Sequence, residues 1–407
     1  MSKIRPFRAL RPLPGNAHRV AAVPYDVVNT AEALSLAAGN PLSFLHVSRA
    51  EIDLPPSTRP YSDEVYERAL QNFQQLRAAA PLILEDEPSL YFYRLQMGSH
   101  RQTGLAACYS IEEYNRDLIR KHERTRPEKE DDRTRHIITL RAQTGPVFLT
   151  YRATDSVDEL AGRVTATAPL FDFEAADAIR HTIWRVTGAD MHALVRAFGG
   201  IPRLYIADGH HRAASAARAW EYFAAKEKGV ANDEAGWFLA VAFPDNQTQI
   251  LPYNRIVRDL AGQTPADLLA GLRTRARSTH GTPQPGKKGE VSMLLDGRWC
   301  TLHLAPRAGA TDIGSTLDVS LLQDTVLSPL LGIGDPRTDK RIDFVGGIRG
   351  SGELEKLQME GKAAVAFSMY PVGIDDLMRI ADAGEIMPPK STWFEPKLRD
   401  GLLNHLI

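Results

Sequence analysis

At 407 residues, with 43% hydrophobic and 24% charged residues, the chain has the make-up of a folded globular protein and is too long for one ordinary core, so two or three domains are expected. Forty-nine basic residues against fifty acidic ones leave a net charge of −1, which removes any global field for nucleic acid and confines an anion site to local groups. Two distant cysteines, Cys108 and Cys300, exclude a disulfide framework, and neither an export leader nor a membrane-spanning apolar run is visible, so the expected location is the cytoplasm.

Along the chain, "KIRPFRALRP" and "HRVAAVPYDVV" alternate and are cut by prolines, which predicts short strands and turns. A helix is expected over "TAEALSLAAGN", with Thr30 as N-cap and Gly39-Asn40 as its stop, and a longer one over "SDEVYERALQNFQQLRAAA", ending before Pro81. "SLYFYRLQM" and "RQTGLAACYSI", separated by "GSH", read as a hairpin. The most charged stretch, "RKHERTRPEKEDDRTRHI", follows, and Pro127 should break any continuous helix there. Strands over "GPVFLTYRA" and "AIRHTIWRVTG" then alternate with helices over "SVDELAGRVTATA" and "DMHALVRAFGG", the pattern of an α/β domain. "WFLAVAFPDNQTQILPYNRIV" reads as two strands around a polar turn, closing the central region near residue 258. The polar segment "STHGTPQPGKKGE" is the best loop or boundary. After it come a hairpin with Asp-Gly at its turn in "VSMLLDGRWCTLHL", a helix over "LDVSLLQDTVLSPLLGI", a strand over "AAVAFSMYPV" and a helix over "GIDDLMRIADAG".

The strand-to-helix corner in "YIADGHHRAASAARAWEYFAA" concentrates chemistry in Asp208, Gly209, His210, His211 and Arg212. The first N–H groups of a helix have no intrahelical partner, and the helix dipole makes that end an anion site. Gly209 lets the backbone approach a ligand, and Arg212 can make bidentate bonds to phosphate or carboxylate. Either histidine could move a proton, and Asp208 could act as base or bind a metal. The plain alternative is a capping aspartate followed by two ordinary turn histidines.

In the charged stretch, His122, Glu123, Arg124, Thr125, Arg133 and His136 are candidate phosphate contacts; the plain alternative is a solvated helix laced with ion pairs. Lys390, Ser391 and Thr392, set between prolines and aromatics in "MPPKSTWFEPK", are candidates of the same kind, against a packed tail. A Walker loop is absent, and "GIG" at 332–334 lacks the third glycine of a dinucleotide fingerprint.

"IRPFRALRP", "VPYDV", "KHERTRPEKEDDRTRH", "YIADGHHR" and "MPPKSTWFEPKLRDGL" together resemble the bacterial and archaeal family catalogued as domain of unknown function 1015, over nearly the whole chain. A remoter resemblance is to the ParB/sulfiredoxin-like superfamily, which includes free serine kinases, through the proline-containing N-terminal strand and the "DGHHR" corner. That resemblance implies a mixed α/β fold with a ParB/sulfiredoxin-like core over 1–262, carrying a charged insertion at 115–140, and a C-terminal α/β region over 263–407. It implies phosphoryl transfer on serine or O-phosphoserine in serine metabolism, in the kinase or the phosphatase direction. Asp208, His210, His211 and Asp26 would be catalytic, Gly209 and Arg212 would hold phosphate, Mg²⁺ would assist, and a nucleotide or pyrophosphate would donate or accept the phosphoryl group. A homo-oligomer is compatible with this reading. The rival is a non-catalytic ParB-like sensor of nucleotide or nucleic acid, the latter opposed by the balanced charge.

Overall fold

In the computed structural model, which describes residues 2–79, 82–226, 233–306 and 312–407, the chain forms two units: Met1–Thr248 with Pro396–Ile407, and Gln249–Glu395. Nine strands of the first unit make one mixed sheet: β1 (Ile4–Arg5), β2 (Leu90–Met97), β3 (His100–Ser110), β4 (Ile119–Arg120), β5 (Val147–Tyr151), β6 (Phe171–Glu174), β7 (Ile179–Val186), β8 (Leu204–Asp208) and β9 (Trp237–Pro244). Their order is β4-β8-β5-β9-β3-β2-β7-β6, with β1 paired to β3. β4 runs parallel to β8 and β5 parallel to β9, while the β8–β5 and β9–β3 pairs are antiparallel. The expected α/β class is what the chain adopts.

The helices of this unit include α1 (Thr30–Ala37), α2 (Asp63–Ala79), α3 (Pro127–Leu140), α4 (Asp155–Thr165), α5 (Gly188–Gly199) and α6 (His210–Lys226). Successive residues of a strand point to opposite faces, so Leu105, Ala107 and Tyr109 on β3, Leu149 and Tyr151 on β5, and Phe238, Ala240 and Ala242 on β9 share one side. They bury there with Val157 and Leu160 of α4, Leu194 and Phe198 of α5, and Ala213, Ala216 and Phe223 of α6. The alanine run of α6 has a packing reason: its small buried side chains let α3 lie close along it. A second core joins Leu10, Ala22, Phe44, Phe73, Leu140 and Ala142 under α1 and α2.

The chain re-enters this unit at Pro396 and is stitched to its beginning. Asp400 pairs with Ala22, Asn404 with Leu10, and His405–Leu406 with Ala142–Gln143. The Gly401 N–H donates to the Thr144 carbonyl at 3.2 Å.

In the second unit, strands β10 (Tyr253–Val257), β11 (Arg277–His280), β12 (Glu290–Leu295), β13 (Arg298–His303), β14 (Ile342–Gly346) and β15 (Val365–Met369) form a sheet in the order β11-β13-β12-β15-β10-β14. The β12–β13 hairpin turns on Asp296 and Gly297, both at positive φ (48° and 70°), as the Asp-Gly pair predicted.

Four expectations change. The N-cap of α1 is Asn29, whose side chain accepts the Glu32 N–H while Glu32 accepts the Asn29 N–H, both at 2.9 Å, so Thr30 is already helical. Pro127 does not break a helix but begins one, at the position where its missing N–H costs nothing. The strand Tyr253–Val257 belongs to the second sheet rather than closing the first, so the chain divides after Thr248 and not at 262/263. The segment 278–290 lies within the second unit: its first three residues end β11 and Gly281–Gly289 connects β11 to β12. Pro81 lies outside the described residues.

Gly401 sits at φ +85°, and a Cβ there would lie 2.5 Å from the Phe44 ring. Gly401→Ala is therefore expected to cost about 1–3 kcal/mol, read as a lower urea midpoint; an unchanged midpoint would show that the returning segment is loosely held.

Candidate functional site

β8 ends irregularly: its register against β5 slips between Ile206 and Asp208, which re-aims the Asp208 side chain at the strand's last position. Gly209 follows at φ +93°, and a Cβ there would approach the Arg212 guanidinium to 3.0 Å. Both conformation and space therefore require glycine. The Gly209 carbonyl accepts the first helical bond of α6, from the Ala213 N–H at 3.0 Å, so the N–H groups of His210, His211 and Arg212 precede the ladder.

Charges alternate around this corner. The Asp208 Oδ2 accepts from Lys397 Nζ at 3.2 Å and from the Arg212 guanidinium at 3.3 Å. Arg212, 8% exposed, also donates to the Pro146 carbonyl and lies 3.9 Å from Asp26. Burial alone would raise the Asp208 carboxyl, but Lys397 and Arg212 outweigh it and hold it well below the usual range. Asp26, the residue implied by the resemblance, is thus brought to the motif. Behind Arg212 lies a cavity of about 40 Å³ lined by Tyr25, Ser48, Arg133, Thr144, Arg212 and Asp400 among others. Burial pushes the Asp400 carboxyl up to about 7 despite the opposing Arg212, and its Oδ1 has no partner.

The two histidines are splints for the preceding loop. His210 Nε2 accepts the His122 backbone N–H at 3.4 Å, and His211 Nε2 accepts that of Arg126 at 3.0 Å. Each Nδ1 therefore carries the proton in the neutral ring. The His210 Nδ1 lies 3.7 Å from the Glu123 carboxylate, and its ring meets His122 edge-on at 4.4 Å. Burial, reinforced by His122, holds the His210 imidazole well below its ordinary range; burial lowers His211 as well, with Arg126 adding to the shift. Beside them opens a 250 Å³ pocket lined by Tyr114, Lys121, Glu123, Arg124, Thr125 and His210.

The expected contacts thus divide. His122, Glu123, Arg124 and Thr125 gather at His210, with Thr125 hydrogen-bonded to Glu130. Arg133 and His136 instead line the interior cavity: Arg133 is bound to Asp132 at 2.8 Å and lies 4.1 Å over Tyr25, and His136 bonds the Val47 carbonyl at 3.1 Å. Lys390, Ser391 and Thr392 belong to the second unit, where Ser391 donates to the Pro388 carbonyl and Lys390 lies over Tyr253. The residues that sequence reading missed are Lys397 and Asp400. Their one signal was the polar density of "KLRDGL", already noted as part of a motif.

A resident Mg²⁺ does not fit Asp208, whose Oδ2 is shared by two cations. Among the described residues no three His, Cys, Asp or Glu side chains are grouped to hold a metal ion. No described helix is long and apolar enough to cross a membrane.

A family model described as "Protein of unknown function (DUF1015)" matches residues 4–320. No curated protein matches the chain. Among solved structures, a free serine kinase in complex with AMP is 12% identical over 70% of this chain and 89% of its own, with a TM-score of 0.34. SbnI with C-terminal truncation from Staphylococcus aureus is 12% identical over 72% and 85%, at 0.37, and a conserved hypothetical protein from Pyrococcus furiosus is 12% identical over 70% and 91%, at 0.33. Scores of this size transfer neither fold nor activity.

Asp400 and His122 oppose each other in pH dependence. Asp400 binds its proton in the folded chain up to about pH 7, far above its unfolded value, so its contribution improves as pH falls through 7. His122, lowered by burial to about 4, contributes stability above its unfolded value that is lost on further acidification. Asp400→Asn removes only the first. Its stability relative to the wild type should be greatest at pH 8 and decline toward pH 5, measured by urea midpoints; a pH-independent difference would contradict the assignment.

Proposed function

The chain belongs to the DUF1015 family, and we propose that the β8–α6 corner is a site for phosphoryl transfer between a nucleotide and the hydroxyl of a small amino acid, with serine and O-phosphoserine the pair implied by the sequence resemblance. The observation that supports this best is the 250 Å³ pocket at the first residue of α6, where Lys121, Arg124 and Thr125 stand around Glu123. Helix N–H groups and two cations suit phosphate oxygens, and the carboxylate suits the hydroxyl proton.

In this reading the N–H groups of His210 to Arg212, the His210 Nδ1–H and the Lys121 and Arg124 cations hold the phosphates. Lys121 is drawn from Asp117, 2.8 Å away, and Arg124 stands on the pocket wall. In the kinase direction the substrate hydroxyl gives its proton to a carboxylate as its oxygen bonds to phosphorus, and the bond to the nucleotide's leaving phosphate breaks. Glu123, half-exposed in the pocket, is the base that the geometry favours; Asp26, whose side chain is 35% exposed and faces Arg212, is the base that the resemblance implies. The histidines serve as donors, because their acceptor nitrogens are engaged by backbone N–H groups. Mg²⁺ enters bound to the nucleotide, as part of the substrate.

One observation favours the rival, a nucleotide sensor: Asp208, His210 and His211 are all engaged within the protein. Phosphorus NMR of the whole chain with Mg²⁺ and O-phosphoserine plus ADP, or serine plus ATP, ADP or pyrophosphate, separates the two. The expected result is a transferred phosphoryl resonance that Glu123→Gln slows by about 100-fold or more while nucleotide affinity stays within a few-fold. Loss confined to Asp26→Asn would move the base to Asp26. Nucleotide binding without turnover would leave the sensor, and neither binding nor turnover would sink the site.

A further inference from the structure

The second unit carries a glycine-rich turn of its own. β14 ends at Gly346 and leads through "GGIRGSG" (346–352) into helix α7 (Gly350–Met359), after which the chain enters β15. β14 and β15 each pair antiparallel with β10, which lies between them, so they run parallel to each other in a split β-α-β crossover. In open α/β sheets, ligands sit beyond the carboxyl ends of such strands, where the helix begins. Here that end is bare. The Arg349 N-cap makes no side-chain cap bond, Gly350 stands at φ +66°, and a Cβ at Gly350 or Gly352 would meet no atom within 4 Å.

An independent observation lies beneath the turn. Gln358, near the end of α7, donates to the Leu294 and Ala364 carbonyls at 3.3 Å, and Glu355, one turn earlier, accepts the Trp299 indole N–H at 2.8 Å. Trp299, Leu294, Ala366 and Ile256 share one rung of the sheet, and Leu354 is buried with the last three. A helical turn advances about 5.4 Å and a same-face step along a strand about 6.7 Å, so the first turn of α7 lies over the next rung. That rung is Thr301, Ser292 and Ser368, with Asn254 beside them, its Oδ1 accepting the Met369 N–H at 3.0 Å. Ser292, Ser368 and Asn254 are all buried, and the Ser292 hydroxyl has no hydrogen-bond partner among the described residues. A buried hydroxyl left unsatisfied in mid-sheet costs stability without return to the fold, whereas the rung under Leu354 is apolar.

Charge selects the ligand. Arg349 is the cation of the turn, 61% exposed, and lies 4.0 Å from Glu353 in the same turn. A single cation, partly balanced, suits one negative charge rather than a phosphate dianion. Thr301, Ser292, Ser368 and Asn254 offer no carboxylate to balance an ammonium, so they suit an uncharged hydroxyl. We propose that the first turn of α7 and the Ser292–Ser368–Asn254 row form a second binding site, for a small hydroxy acid: its carboxylate takes the N–H groups at the helix start, and its hydroxyl reaches the polar row. The site lies wholly within the second unit and is independent of the β8–α6 corner.

The test is a titration of the full chain, labelled with nitrogen-15 glycine, with sodium lactate. The Gly350 and Gly352 amide resonances are expected to move saturably, with Gly352→Ala identifying one of them. Ser292→Ala should weaken binding roughly five- to tenfold, while Lys121→Ala, at the corner pocket, leaves it unchanged. Without lactate, the urea midpoint of Ser292→Ala should equal or exceed that of the wild type, because an unsatisfied hydroxyl has been removed; a lower midpoint would show that the protein itself satisfies Ser292 and would overturn the inference. Ser368→Ala replaces Ser292→Ala if the latter does not fold. Unmoved glycine resonances remove the site, and undiminished binding in Ser292→Ala removes the polar row from it. Inorganic phosphate or alanine binding as tightly as lactate would overturn the assignment of a hydroxy acid.

Discussion

Asp208 lies at the end of a buried strand and remains ionised there only because two cations, Lys397 and Arg212, outweigh the cost of withdrawing its charge from water. Much of the first unit serves that balance. The slip in β8 turns the side chain toward its partners, Gly209 makes room for the Arg212 guanidinium, and Arg212 reaches on to Asp26 and the Pro146 carbonyl. Removing one cation leaves a buried carboxylate without full charge compensation.

The loop at 121–126 is tied to the same place by a different means. Two backbone N–H groups bond the histidine rings of α6, so ordering the loop and defining the helix N-terminus are one event. The imidazoles lose their lone pairs to this task. They keep their Nδ1–H groups, which suits them to hold a ligand rather than to take a proton from it.

What was legible in the sequence was local. The strand, glycine and alanine-rich helix around Asp208 are written in adjacent residues, as are the hairpin at Asp296-Gly297 and the start of α2. Arg212 was visible as a guanidinium but not as one surrounded by Asp26, Asp208 and Asp400. Lys397 and Asp208 are 189 residues apart, and no spacing rule joins them. The strand at Tyr253–Val257 reads as a hairpin partner of Trp237–Pro244 because the polar turn between them is convincing; it pairs instead with Val365–Met369, a contact that periodicity cannot register. Pro127 shows the same weakness on a small scale, since a proline reads as a breaker unless the first helical turn is known to begin there.

The return of Pro396–Ile407 to the first unit also bears on how the protein is made. The first sheet, its helices and the DGHHR corner leave the ribosome long before Lys397 and Asp400 do, because the whole of Gln249–Glu395 is translated in between. At ordinary elongation rates that interval is roughly 7–30 seconds. Through it the nascent corner has Asp208 without its lysine, and Leu10 and Ala22 without the strands that cover them. Closing a long loop adds little to the thermodynamic cost. The burden is one of timing: the backbone groups of Leu10, Ala22 and Ala142–Gln143 wait for partners that are synthesised last.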